Sequence, residues 1–453
     1  MQIIRTLLRS PARAAIFGFA LIILIGTCLL MLPPASTIKG LGFVDALFTS
    51  TSAVCVTGLT VVDTGSCFSP FGQSVILVLI QTGGLGIMTI STLFLLIAGR
   101  RPSFIGHNVI QGTFTHTRER SLSSILKNVV FFTLGLEGLG MALMFFCFLP
   151  GNGAQRALYL AVFHSISAFC NAGFSLFSDS FTGYQDNWML NLTICFLIVS
   201  GGLGFPVLSE LKQRLSFKRR AWSRLSLHSK LVLSTTAFLL FTSTIMILFM
   251  EWHNTLAPLA VPTRFLSSFF QAVNARTSGF NSLPVGNMAN ATLFILILFM
   301  FVGASPGSCG GGIKTTTFAT LAVLGISRFQ GHERPHLFGR SISEKSIGKA
   351  VSVVLISTIV VCIGIMILLM AELGDVSHPQ SRGKFLELLF EVVSAFGTVG
   401  LSTGITNSLS TTGKTIITCI MFVGRLGPLL VAIAVSRPIT SRYFHAEENI
   451  IIG

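Results

Sequence analysis

The sequence predicts an all-α polytopic membrane protein in which a unit of membrane helix, re-entrant loop and membrane helix occurs four times around a pseudo-fourfold axis. Hydrophobic residues make up 51% of the 453-residue chain and charged residues only 10%, with a mean hydropathy of +0.78. Soluble domains carry about 25% charged residues. A pair of short glycine-containing motifs recurs four times, and basic residues concentrate in alternate connections.

Eight apolar stretches are predicted to span the membrane, because a helix needs about 20 residues to cross a bilayer core of about 30 Å. They lie at 14–33, 71–98, 128–149, 188–208, 231–250, 291–326, 350–372 and 415–436. Four shorter apolar segments have the length of re-entrant segments; they lie at 42–54, 157–169, 262–274 and 383–395. The first stretch follows three arginines, as in a signal peptide, but no small-residue cleavage site follows, which favours a retained helix.

Two ordered motifs define the repeats. The first has a Phe and, ten residues later, a Gly; it occurs at 48–59, 163–174, 269–280 and 390–401. The second reads GGLG at 83–86 and 201–204, GASPG at 303–307 and GRLG at 424–427. The last glycines of the two motifs are 28, 31, 28 and 27 residues apart. We therefore predict four repeats, at 1–98, 99–208, 209–326 and 327–453, the last including the C-terminal tail.

The basic residues predict the orientation of the chain. Of 31 Lys and Arg, 22 lie in five segments, at 1–13, 99–127, 209–230, 327–349 and 437–453. The positive-inside rule then places both termini and the three loops in the cytoplasm. A net charge of +15 can also indicate a nucleic-acid binder, but segregation of the charge on alternate connections argues against a nucleic-acid partner. Nine cysteines without CxxC pairs indicate neither a disulfide nor a metal site.

The glycine-bearing loops predict a central ion pore, because non-helical backbone at membrane depth must be buried in protein or line a water-filled cavity. The candidate lining residues are Val56, Thr57 and Gly58, Asn171, Ala172 and Gly173, Thr277, Ser278 and Gly279, and Thr398, Val399 and Gly400. They include no Asp or Glu, so a ring of backbone carbonyls is favoured, and the fourth stretch matches the start of the potassium-channel filter TVGYG. The alternative is that each glycine only permits a tight turn, which is less favoured for four aligned loops.

The segment GASPGSCGGGIKTTTF at 303–318 interrupts an apolar stretch and cannot form a regular helix. It is not a P-loop, because Ile313 separates Gly312 from Lys314. We predict an intramembrane gating loop beneath the lining residues. Its candidate residues are Gly303, Pro306, Gly310, Gly311, Gly312 and Lys314.

Charged residues inside predicted spans usually face a bundle interior or an aqueous cavity. Arg425 replaces the middle glycine of the GGLG motif, so we expect it near the pore axis, as a barrier to cations or as an anchor for loop carbonyls. The alternative is an arginine that snorkels to the membrane surface. Glu137 is expected to be a helix-packing partner or to form a helix–helix hydrogen bond.

These motifs resemble the Trk/Ktr/HKT superfamily of potassium transporters, and in particular its KtrB-type membrane subunits. The resemblance rests on SAVCVTGLTVVDTG (52–65), QTGGLGIMT (81–89), FHSISAFCNAGFSLFSDS (163–180), ARTSGFNS (275–282), GGGIKTTTF (310–318), SAFGTVGLSTG (394–404) and GRLGPL (424–429). It implies four pore-loop repeats around a pseudo-fourfold ion pore, K+ bound only by carbonyls of the aligned stretches, and Arg425 beneath them. Pro306 and Cys309 depart from a family loop that is usually richer in Ser and Thr.

The resemblance also implies partners and a location. KtrB-type subunits form homodimers in the bacterial cytoplasmic membrane and dock on a cytosolic ring of nucleotide-binding, KtrA-type subunits. They carry K+ as the transported ion, have no bound cofactor, and commonly depend on Na+ as an activator.

Two other classes of protein are less consistent with the sequence than a potassium uptake protein. A secondary transporter of a small solute also uses broken helices, but usually in two inverted repeats. A membrane enzyme is disfavoured, because paired carboxylates, HExxH and a nucleophile elbow are absent from the predicted spans.

Overall fold

The computed structural model describes residues 11–37, 40–86, 122–214, 221–332 and 334–427. The far ends of two predicted spans (87–98 and 428–436), most of the basic segment 99–127 and the C-terminal tail lie outside the described residues.

Helices dominate the described residues. In chain order they are α1 (Pro11–Leu30), α2 (Phe43–Val54), α3 (Thr64–Cys67), α4 (Pro70–Leu85), α5 (Leu122–Phe148), α6 (Ala154–Phe169), α7 (Trp188–Leu203), α8 (Phe205–Arg214), α9 (Ala221–Arg224), α10 (Leu227–Glu251), α11 (Val261–Asn274), α12 (Asn290–Phe301), α13 (Thr315–Phe329), α14 (Glu344–Leu373), α15 (Lys384–Gly397) and α16 (Thr411–Leu426). Short 3-10 turns lie at Pro33–Ala35, Thr182–Tyr184, Val285–Asn287 and Ile405–Ser408. Between α13 and α14, β1 (His336–Leu337) pairs antiparallel with β2 (Arg340–Ser341).

Every repeat begins with a long helix, and in three repeats that helix can cross a membrane by length and composition. These candidate spans are Val129–Phe148, Leu227–Glu251 and Glu344–Leu373. The shorter apolar helices Ile16–Leu30, Pro70–Leu85 and Asn290–Phe301 occupy three further predicted spans. Large apolar side chains face outward, as Phe249 does at 84% exposure, which is the arrangement expected where the solvent is lipid.

In the first, second and fourth repeats the second helix ends at the second motif, before the predicted end of the span. The span predicted at 188–208 is wrong as one helix: α7 ends at Leu203, and α8 continues at an angle of 101°. Gly204, between them, has a positive φ of 89°, a conformation that suits glycine and breaks a helix. The last glycines of the motif in the first and fourth repeats, Gly86 and Gly427, also have positive φ.

In three repeats a side chain satisfies one of the first amides of the second helix, where four N–H groups lack a helical partner. Ser69, Asn187 and Ser410 each accept a hydrogen bond from the amide three residues ahead. In the third repeat Ala289 stands at this position, and the buried carboxylate of Glu251 accepts from its amide at 2.9 Å instead.

Four short helices, α2, α6, α11 and α15, form the interior and are called the pore helices below. They match the predicted re-entrant segments to within three residues, and each carries buried aromatic residues such as Phe48, Phe163, Phe270 and Phe390. The second helix of each repeat packs on the pore helix of the next: α4 on α6, α7 on α11, α12 on α15, and α16 on α2. The four repeats therefore close into a ring.

Candidate ion-conduction site

Each pore helix ends at the foot of its glycine-bearing loop, and the chain makes a similar turn in every repeat. Three amides return to a carbonyl five residues earlier, each at 2.8 Å: Thr57 to Ser52, Ala172 to Ser167, and Val399 to Ser394. In the third repeat Ser278 donates to the carbonyl of Asn274 at 3.2 Å. The loops thus follow directly from the C-terminal helix ends, where the helix dipole is negative.

The predicted lining stretches share an unusual backbone. Their glycines, Gly58, Gly173, Gly279 and Gly400, have φ of 94°, 70°, 76° and 90°. The first residue of every stretch also has positive φ, at 53° for Val56, 60° for Asn171, 69° for Thr277 and 50° for Thr398. A non-glycine residue held in this region costs about 1–3 kcal/mol and persists only when its surroundings impose it. All eight residues are among the predicted lining residues, but nothing in the sequence indicates the left-handed backbone of the four that are not glycine.

The four stretches meet in one closed ring. A Cβ placed on Gly58 would lie 2.6 Å from the carbonyl oxygen of Ala172 in the second repeat. The other three ring glycines have the same relation to the next repeat. Gly173 faces the carbonyl of Ser278, Gly279 faces the carbonyl of Val399, and Gly400 faces the carbonyl of Thr57. Each glycine therefore faces the backbone of the next repeat, and any side chain there would collide with a carbonyl oxygen. The structure brings the predicted stretches together in the predicted fourfold order.

Polar side chains on the pore helices brace this ring. Ser52 and Ser394 each accept a hydrogen bond from the amide of their own ring glycine at 3.1 Å. Asn274 accepts from the amide of Phe280 at 3.1 Å, and Ser167 donates to the carbonyl of Phe174 at 2.8 Å. The three serines belong to a Ser-Ala pair that recurs in three of the pore helices, and Val273-Asn274 takes its place in the other. The sequence did not indicate what they bind.

The glycines of the second motif allow the second helix of a repeat to pack closely against its pore helix. A Cβ on Gly83 would overlap the carbonyl of Val54, and one on Gly424 would overlap the carbonyl of Phe396. Gly201 meets the carbonyl of Phe169 in the same way. In three repeats, therefore, the helix after the loop approaches the end of its own pore helix so closely that only glycine fits.

The interrupted segment of the third repeat runs between α12 and α13 and attaches to the second repeat. Residues 302–314 form this intramembrane loop. The amides of Ser305 and Cys309 donate to the carbonyls of Gly202 and Gly201 at 3.0 and 3.2 Å. The carbonyl of Pro306 abuts Gly204. The loop thus rests on the GGLG motif of a neighbouring repeat.

The far side of the intramembrane loop touches the ring. The amide of Gly311 donates to the hydroxyl of Thr398 at 2.9 Å. A Cβ on Gly310 would collide with the side chain of Thr277, and Gly312 lies beside Gly397. At the base of the loop, Gly303 donates to the carbonyl of Ile313 at 2.8 Å. The predicted gate residues and the predicted lining residues are therefore in direct contact.

Two cationic side chains fasten the intramembrane loop through its carbonyls. Lys314 Nζ donates to the carbonyl of Gly310 at 2.7 Å. Arg425 donates from one terminal nitrogen to the carbonyl of Cys309 and from the other to that of Gly83. Arg425 thus ties the loop to the first repeat, as expected of an anchor rather than a snorkelling side chain.

Glu137 takes the interhelical role that the sequence predicts. Its carboxylate is 6% exposed on α5 and accepts from Gln81 Nε2 on α4 at 3.2 Å. Its backbone carbonyl accepts from the hydroxyl of Ser165 at 2.6 Å. The residue therefore joins the first two repeats behind the ring.

Four pore helices that deliver aligned loops to one ring, inside a shell of apolar helices, define a pore-loop membrane protein of polytopic all-α fold. The TrkH family, described as cation transport protein, matches residues 9–443. The chain belongs to this family, which confirms the resemblance found in the motifs.

Similar proteins include two Ktr system subunits. The chain is 38% identical to Ktr system potassium uptake protein B of Bacillus subtilis, covering 100% of this chain and 99% of that protein. The protein of the same name from Vibrio alginolyticus is 34% identical, over 95% of this chain and 92% of that protein. The potassium/sodium uptake protein NtpJ of Enterococcus hirae is 35% identical, over 98% and 97%.

Among solved structures, the fold is similar to that of the potassium transporter TrkH from Vibrio parahaemolyticus. The TM-score is 0.69 at 17% sequence identity, over 92% of this chain and 84% of that chain. At this identity the likeness concerns the fold, and it agrees with the four-repeat architecture.

Proposed function

We propose that this chain takes up potassium ions across the bacterial cytoplasmic membrane, as the translocating subunit of a Ktr-like system. The closed ring of four aligned loops is the observation that carries this proposal. The potassium uptake function in the names of its relatives supports it. The driving force is the membrane potential, which contributes about 2.3 kcal/mol per 100 mV for each entering charge.

The ring acts as the selectivity filter. Backbone carbonyls from its four stretches replace the hydration shell of K+. Positive φ at the first and third residues of each stretch supports this role, because alternating backbone conformations turn successive carbonyls toward one side. The filter residues are Val56, Thr57, Gly58, Asn171, Ala172, Gly173, Thr277, Ser278, Gly279, Thr398, Val399 and Gly400.

The intramembrane loop acts as the gate. It contacts the filter through Gly310 and Gly311, and we infer that it must move before an ion passes. Gly303 and Gly312 give its ends freedom to bend, while Pro306 limits bending beside the second repeat. Lys314 and Arg425 hold the loop by hydrogen bonds to its carbonyls, so they stabilise the closed state.

The assembly and orientation are part of the proposal. The chain forms a homodimer that docks on a cytosolic, KtrA-type ring of nucleotide-binding subunits, with both termini in the cytoplasm. The reference to a Ktr system in the names of relatives and the distribution of basic residues support this arrangement. Sodium acts as an activator, in keeping with the potassium/sodium uptake protein among the relatives.

Cation flux into liposomes that contain the purified chain tests the proposal. Imposed gradients of K+, Na+ and choline are compared for the parent, Gly58→Ser and Gly135→Ser. The added side chain at Gly58 meets a carbonyl of the next repeat, whereas Gly135 has no neighbouring atom within 4 Å. We expect K+ flux to exceed Na+ flux, and this preference to fall several-fold only in Gly58→Ser.

A variant with a shortened loop, lacking residues 308–311, distinguishes two explanations for a parent without flux: a pore held closed by its gate, or a chain that does not conduct potassium. Removing the gate should raise K+ flux. If this variant carries no cation flux while it remains folded, the proposed function is contradicted. Unchanged flux relative to the parent contradicts the gating role alone.

A further inference from the structure

Two cysteines that are far apart in the sequence lie near each other where the intramembrane loop rests on the second repeat. Cys170 closes α6, immediately before the filter residue Asn171, and Cys309 lies in the loop. Each is 1% exposed, and neither is in a disulfide. The absence of CxxC pairs gave no indication of this pairing, because the chain fold alone brings the residues together.

Their shared neighbours fix their proximity. The amide of Cys309 donates to Gly201, and Gly201 in turn packs on the residues on both sides of Cys170. Arg425 bridges the carbonyl of Cys309 to that of Gly83, and a Cβ on the adjacent Gly84 would lie 2.6 Å from the sulfur of Cys170. Both cysteines therefore lie at one junction between the loop and the first two repeats.

We propose that Cys170 and Cys309 form a thiol-modification site, at which a two-electron oxidant joins them in a disulfide and locks the gate. This inference rests on the proposed function, since the loop is the gate only if the ring conducts. Both S–H bonds break and one S–S bond forms, with loss of two protons and two electrons. An azodicarboxamide such as diamide accepts the two protons and two electrons. Its N=N bond becomes an N–N bond, with two new N–H bonds.

The disulfide changes how the loop is held. In the reduced protein the contacts of the loop with the second repeat and with Arg425 are hydrogen bonds, which exchange as the loop moves. Cys170 belongs to the fixed frame, because its helix end is seated on the glycine of the second motif. A covalent bond from Cys309 to that frame prevents the loop from leaving the filter.

The test uses the full chain in liposomes treated with diamide and then with an alkylating reagent. Mass spectrometry of the digested protein should find the Cys170 and Cys309 peptides linked. K+ flux should fall at least tenfold and recover with dithiothreitol. Cys309→Ser and Cys170→Ser, each compared with its own untreated flux, should be insensitive. Cys55→Ser, at the matching position of the first repeat, should remain as sensitive as the parent.

Three outcomes overturn the proposal. One is the absence of linked peptide while the exposed Cys28 and Cys362 are fully modified. Another is linked peptide without loss of flux, and the third is equal sensitivity of Cys309→Ser. The linked peptide is detected by mass spectrometry and does not require the protein to conduct ions. If the proposed function is wrong, both the untreated parent and the loop-shortened variant will show no K+ flux, and this result is independent of the linked peptide.

Discussion

Replacing Arg425 by Met should favour the open gate. The guanidinium makes two charge-assisted hydrogen bonds, to the carbonyls of Cys309 and Gly83. Only the bond to Cys309 holds the loop, because Gly83 lies outside it, and a hydrogen bond to a charged group contributes about 1.5–3 kcal/mol. Since about 1.4 kcal/mol is a factor of ten in an equilibrium constant, the ratio of closed to open states should fall at least about tenfold.

The assay is K+ flux from liposomes at saturating gradient, with protein amount and thermal stability measured in parallel. Arg425→Lys is the matched control, because it keeps the charge but provides a point donor instead of a planar fork. If Arg425 anchors the loop, the Lys variant should also leak. If it is only an electrostatic barrier, the Lys variant should conduct like the parent. Reduced or unchanged flux in a folded Arg425→Met protein would refute the anchoring role.

Other substitutions probe the frame of the ring. Gly424→Ala puts a methyl group against a pore-helix carbonyl and should cost several kcal/mol of stability, read as loss of folded protein in detergent, whereas Gly135→Ala should be tolerated. Ser394→Ala removes the hydroxyl that accepts a hydrogen bond from the amide of Gly400. It should lower the free energy of unfolding by about 1 kcal/mol and should lower the K+/Na+ flux ratio. Asp45→Asn weakens the partly exposed ion pair with Lys414 at 2.8 Å, and should cost under about 1 kcal/mol.

Each of these expectations has a contrary result. Equal melting temperatures for the Gly424→Ala and Gly135→Ala proteins would show that close packing at Gly424 is not required for stability. An unchanged flux ratio in Ser394→Ala would mean that the hydroxyl does not hold the filter shape. A loss of ion selectivity in Asp45→Asn would assign the ion pair a role in the filter beyond joining the first and fourth repeats.

The repeated pattern made the pore helices predictable. The segment predicted at 42–54 is the helix Phe43–Val54, and that at 262–274 is Val261–Asn274. Local information suffices here, because a short apolar run between turn residues both forms the helix and buries it. The same pattern predicted which loops align, and the ring of glycines and carbonyls agrees with that alignment.

Other features could not be predicted from the residues alone. Nothing in the side chain of Val56 or Thr398 favours a left-handed backbone; the neighbouring repeat and the pore helix impose it. In the sequence Gly204 is one more glycine in an apolar run, and only the structure shows that the loop of the third repeat packs against it. The partners of Arg425 come from the first and third repeats, and no sequence spacing predicts contacts between chain segments so distant.

The sequence by itself determined the class of protein, the number of repeats, the predicted orientation and the identity of the ring residues. The bilayer constrains the length of the hydrophobic stretches and the position of the charged residues. A motif that occurs four times occupies four similar places in the fold. Only the tertiary structure decided where the interrupted segment lies, which carbonyls Lys314 and Arg425 bind, and that Cys170 and Cys309 lie at one junction. Those features depend on how the repeats pack around one axis, and packing is a property of the whole ring.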